Sequence, residues 1–154
     1  MGFWDNLKQA GGSLLGGAKS FLESHLSEFN NGDFKNAAMA FAAQITYADG
    51  TADTSEKMKV AGIIERHEML KCFDSAELRS LYLKKLEDFE FDYDFAKENI
   101  RNALLKVTDP EQQRGVILIG IIIGKADGDF DADERREVTE VINMYGFAAS
   151  EFDV

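Results

Sequence analysis

The stretch "KADGDFDADERRE", Lys125 to Glu137, has a counterpart in the first half of the chain, "YADGTADTSEKMK", Tyr47 to Lys59. Asp127 aligns with Asp49, Gly128 with Gly50, Asp131 with Asp53 and Glu134 with Glu56, at a constant offset of 78 residues (127 − 49 and 134 − 56). The match extends outward, with Ile123 on Ile45, Ala126 on Ala48, Arg135 on Lys57, and Val138, Val141 and Ile142 on Val60, Ile63 and Ile64. A repeated unit constrains a fold strongly, because one pattern must suit two places in one core. Each unit reads as a buried helix, an acidic Asp-Gly turn and an amphipathic helix, over residues 33–70 and 111–147.

Helical spacing runs through the rest of the chain. Val138, Val141, Ile142 and Tyr145 follow the i, i+3, i+4, i+7 pattern, and Gly146 is a C-terminal stop. Leu78, Tyr82, Leu86 and Phe89 mark a stripe opened by the capping pattern "DSAE", Asp74 to Glu77. Ile100, Ala103, Leu104 and Val107 mark the next, and "TDPE" sets Asp109 as an N-cap with Pro110 at the first helical position. The run "GVILIGIIIG" is compatible with a buried strand, but its repeat partner "NAAMAFAAQITYA" is Ala-rich, so both are read as buried helices. "FEFDYDF", Phe89–Phe95, alternates like a strand without a partner, and is read as a helix end, a turn capped by Asp92 and a helix start. The expectation is one all-α domain over 1–154, a bundle of about seven helices: an N-terminal amphipathic segment (1–30), the two units, and a hairpin over 74–108 between them.

Composition narrows the function classes. With 28 acidic against 17 basic residues the net charge is −11, which argues against nucleic acid and against unassisted adsorption to anionic membranes. That charge suits divalent cations or a basic protein partner. The longest apolar run, Val116–Ile123, is far short of the ~20 residues that cross a bilayer, and "MGFWDNLKQAGG" has no signal-peptide pattern. A lone cysteine, Cys72, fits a reducing compartment. The chain is expected to be soluble.

Asp53–Glu56 and Asp131–Glu134 have ordinary roles available, since D-x-x-E is a capping box and Gly50 and Gly128 suit the left-handed end of a helix. Asp49 and Asp127 are harder to explain. Each is expected in the last turn of its helix, where the macrodipole disfavours a carboxylate by ~0.3–1 kcal/mol. Repetition of that arrangement suggests a compensating cation, and carboxylates without His or Cys point to Ca²⁺ or Mg²⁺ rather than zinc. Asp129 and Asp133 should make the second turn the better binder. It is not an EF-hand: Ala132 replaces the glycine at loop position six and Val138 the bidentate Glu at position twelve. The two turns would have to approach one another, or water would have to complete the shell.

Other chemistry is sparse. "HEMLK" at His67 has Lys71 where a zinc-protease helix needs its second His, His25 stands alone, and Cys72 lacks a base to activate it. No catalytic activity is expected.

The doubled "ADG…E" turns, "EMLKCFDSAELRSLYLKKLEDFEFD", "IIIGKADGDFDADER" and "YGFAASEFDV", with the opening "MGFWDNLKQA", resemble the tellurite resistance protein TerB family. The resemblance implies an all-helical cytoplasmic bacterial protein encoded among genes for resistance to tellurite, phage and colicins. It also implies a metal site at Asp49, Asp53, Glu56, Asp127, Asp131 and Glu134, and a TerC-like membrane partner that recruits the chain to the membrane. The less acidic first turn departs from equal occupancy of two sites. Tellurite is an anion, so resistance would be indirect. Two functional readings follow: a cation-responsive module, and a metal-independent acidic adaptor in a stress or phage-defence complex.

Overall fold

The computed structural model describes residues 14–128, 130–152 and 154. The opening "MGFWDNLKQA" and Asp129, one of the expected metal ligands, lie outside the described residues. The described residues contain eight α-helices and no strand: α1 (Leu14–Ser24), α2 (Leu26–Phe29), α3 (Gly32–Thr46), α4 (Thr54–Arg66), α5 (Ser75–Phe91), α6 (Tyr93–Leu105), α7 (Pro110–Ala126) and α8 (Ala132–Met144). Single 3-10 turns occur at Glu68–Leu70 and Ala149–Phe152. The N-terminal amphipathic segment divides at His25, which accounts for one helix more than the stripes suggest.

Local chemistry starts most of the helices. Asp53, Asp74, Asp92, Asp109 and Asp131 all sit at N-caps with a side-chain oxygen accepting from a backbone N–H of the first turn, satisfying donors that the helix leaves open. Asp92 both follows α5 and caps α6, so the alternating "FEFDYDF" is a corner between two helices. Gly50, Gly128 and Gly146 have φ of 94°, 99° and 85°, the left-handed region that glycine enters without steric cost.

The packing centre is α3, buried on every side from Ala37 to Ile45 and in contact with α4, α5, α6, α7 and α8. Its run of alanines lets neighbouring helices approach closely. Apolar α7, buried from Gly115 to Gly124, lies against it. A Cβ on Gly120 would sit 2.5 Å from Cε2 of Phe41 and 3.1 Å from Cδ1 of Ile45, so α7 has no room for a side chain there. This close pairing of α3 with α7 brings their C-terminal turns to one end of the molecule.

No helix among the described residues is long and apolar enough to cross a membrane.

Candidate functional site

The turn after α7 begins at its C-cap, Asp127, and ends at the N-cap of α8, Asp131. Asp131 accepts from the Glu134 N–H at 2.8 Å, and Glu134 Oε2 accepts from the Asp131 N–H at 3.2 Å. Both halves of the capping box are therefore closed, and Glu134 is only 8% exposed. In the first turn Asp53 accepts from the Glu56 N–H at 2.8 Å, but the Glu56 carboxylate, exposed, makes no return bond among the described residues.

Asp49 differs from expectation. Helix α3 ends at Thr46 with Tyr47 as its C-cap, so Asp49 lies beyond the helix rather than in its last turn. Its Oδ1 accepts from the Thr51 N–H at 3.1 Å, a local Asx-type turn that gives the side chain a backbone partner. The physical reason lies at Tyr47, whose ring stacks on Phe89 of α5 with centroids 4.3 Å apart and planes at 10°. Asp127 is as expected, at the C-terminus of α7, 26% exposed at its side chain.

A cleft of about 360 Å³ opens between the two turns. Asp49 and Glu56 from the first turn and Asp127, Asp131 and Glu134 from the second line it, over a floor that includes Ile45, Val60 and Ile123. Asp53 is not among the lining residues. The donor set is oxygen throughout, which fits a hard divalent cation. Yet among the described residues no three such side chains converge closely enough to hold a metal ion ready-made.

One basic residue enters the cleft. Lys59 of α4 donates from Nζ to the Asp127 carbonyl at 2.7 Å and lies 3.2 Å from Asp127 Oδ1. An ammonium at a helix C-terminus is favoured by the macrodipole and offsets the adverse placement of Asp127. Arg136 of α8 makes the reciprocal crossing, donating from Nη2 to the Ala48 carbonyl at 3.0 Å. Each amphipathic helix thus caps the turn that belongs to the other half of the chain.

One buried polar group was not found by sequence reasoning. Glu137, 3% exposed, accepts from Gln44 Nε2 of α3 and from Lys97 Nζ of α6, each at 2.7 Å. The available signal was its phase: Glu134, Glu137 and Val141 lie three and four residues apart, on one buried face of α8. Lys59 gave no such signal, because the residue 78 positions on is Glu137, of opposite charge. Tyr82, fully buried, shares a 2.8 Å hydrogen bond with Thr46, a lining residue, and burial pushes its hydroxyl pKa up. Cys72 is half-buried and burial raises its thiol pKa, so it is not an activated nucleophile.

His67 has a local structural role. Its Nδ1 accepts from the Met69 N–H at 3.2 Å, capping the first 3-10 turn, and burial lowers its pKa. His25 lies between Phe21 and Phe29, with ring centroids at 4.7 and 5.3 Å.

No solved structure matches the chain. A tellurium resistance protein TerB from an Alcaligenes species is 30% identical over 122 residues, covering 79% of this chain and 97% of that protein. The family model for tellurite resistance protein TerB matches residues 35–154, which takes in both acidic turns and the hairpin between them. The chain therefore belongs to the TerB family, whose members are associated with tellurite resistance.

Proposed function

We propose that the protein is a non-catalytic, cation-responsive module of the tellurite-resistance response, taking a divalent ion into the cleft between its two acidic turns. One observation carries the reading: carboxylates from both turns, Asp49 and Glu56 on one side and Asp127 and Asp131 on the other, line a single cleft. Ca²⁺ is the preferred ion, because its flexible shell of six to eight oxygens tolerates carboxylates with water, whereas Mg²⁺ demands a near-octahedral one. Lys59 holds the position of a cation at Asp127, so an ion competes with the ammonium rather than entering an open site. Tellurite, an anion, is repelled by these carboxylates, and resistance is indirect. The partner in this reading is a TerC-like membrane protein, which recruits the otherwise cytoplasmic chain to the inner face of the membrane.

Calorimetry with Ca²⁺ and Mg²⁺, paired with melting in EDTA, tests the proposal. Ca²⁺ should raise the melting temperature, Asp49→Asn with Asp127→Asn should remove that rise, and Lys59→Met should tighten binding. An unchanged rise in the double Asn variant would show that the ion binds elsewhere. If millimolar Ca²⁺ and Mg²⁺ both leave melting unchanged, the second reading stands: a metal-independent acidic adaptor docking a basic partner. The Lys59–Asp127 pair, which supplies the cleft with its own cation, is the observation that favours it.

A further inference from the structure

We propose that the corner between α5 and α6 docks a basic protein segment bearing an apolar anchor. At its centre are two rings that face water, Phe91 at 82% exposure and Phe95 at 48%. Their centroids are 6.0 Å apart and their planes meet at 73°, the edge-on arrangement aromatic pairs prefer. Phe91 is the last residue of α5 and Phe95 lies in the first turn of α6. Asp92 fixes the corner between them, its side chain accepting from the Phe95 N–H and its own N–H donating to the Asp88 carbonyl, both at 3.0 Å. Two large rings are therefore presented side by side on regular helix ends, as a fixed apolar surface.

The charge around them selects the occupant. Between residues 87 and 98 stand Glu87, Asp88, Glu90, Asp92, Asp94 and Glu98. The one base in that span, Lys97, is directed at buried Glu137. Of the six acids only Glu90 is ion-paired among the described residues, to Lys57 at 2.7 Å. An aromatic centre with a mainly acidic rim is the anatomy of a protein-binding patch, the rings contributing affinity and the acids steering and register. A second copy of this chain, also at −11, and an anionic lipid surface would both meet repulsion here. A Lys- or Arg-rich segment with a large apolar side chain meets both features.

This inference rests on the view that the protein acts through a partner, and it is independent of the cation. The experiment is therefore run in EDTA, where its failure leaves the cleft proposal untouched. The probes are a synthetic helical peptide of Lys, Leu and one Trp, and a peptide of equal charge with Ser in place of Leu and Trp. Amide chemical shifts at near-physiological salt should move at residues 90–98 with the first peptide, and the Ser peptide should bind more weakly by about tenfold or more. Phe91→Ser with Phe95→Ser should weaken the first peptide about tenfold or more while leaving the melting temperature close to wild type. Glu98→Lys should weaken it in a manner that fades as NaCl is raised. Equal binding of the two peptides, or undiminished binding by the Ser variant, would reduce the effect to bulk charge attraction and overturn the proposal. So would self-association in sedimentation equilibrium, or capture by phosphatidylserine vesicles, that the double Ser variant abolishes.

Discussion

Replacing Gly120 by Ala inserts a methyl group where α3 and α7 leave no space for one. The new Cβ would lie 2.5 and 2.6 Å from two ring carbons of Phe41 and 3.1 Å from Cδ1 of Ile45. Phe41 is fully buried in the helix that every later helix packs against, so the ring cannot swing aside without disturbing several contacts. Overpacking of this kind costs about 1–3 kcal/mol, and gaining Ala for Gly inside a helix returns about 0.8–1.0 kcal/mol. With two contacts below 3.0 Å the steric side falls in its upper half, leaving a net loss of ~1–2 kcal/mol. Gly62 of α4 supplies the control. Its Cβ would also meet an atom at 2.5 Å, but that atom is Nη2 of Arg66, the far end of an exposed, flexible side chain. Gly62→Ala should therefore be stabilising by ~0.5–1 kcal/mol. For a chain of this size 1 kcal/mol moves the melting temperature by about 2–4 °C, so far-ultraviolet circular dichroism melts should separate the variants in opposite directions. Gly120→Ala melting at or above wild type, or both variants shifting the same way, would refute the close α3–α7 approach and with it the placement of the two turns.

Three further outcomes are expected. Asp131→Ala should lose more stability than Asp53→Ala in denaturant unfolding. Both remove an N-cap worth about 1 kcal/mol, but Asp131→Ala also disturbs buried Glu134, whose carboxylate closes the other half of that box. Glu137→Ala should be more damaging still, by ~2–4 kcal/mol, since it strips Gln44 and Lys97 of their shared buried acceptor; a loss below that of Asp53→Ala would contradict the geometry. His67 should titrate below the ordinary value of about 6.5 by NMR, because burial disfavours its charged form. The unfolded chain then binds the proton more readily. This contribution to stability is present above pH ~6.5 and is lost as the pH falls toward the lowered folded value. An NMR midpoint above 6.5 would exclude that assignment.

What could be read in the sequence was what is local. Asp74, Asp92, Asp109 and Asp131 announce helix starts because a cap is made by residues two or three positions apart. The end of α3 was misplaced by three residues, since Tyr47 leaves the helical path to stack on Phe89, 42 positions away. Lys59 at Asp127 and Glu137 at Gln44 join residues 68 and 93 positions apart, and no spacing rule reports such pairs. The repeat brought attention to Asp127 and its adverse helix end. It concealed the answer, because the residue that compensates Asp127 is one at which the two aligned stretches differ.

The exchange of caps between the halves also bears on how the turns move. Lys59 ties α4 to the end of α7, and Arg136 ties α8 to the turn after α3. Neither turn can open far without releasing a bond anchored in the other half. In the language of hydrogen exchange the turns are then expected to open as one cooperative unit. Amide protection around Gly50 and Gly128 should then rise and fall together, and a ligand seated on one turn would register as a slower clock on both.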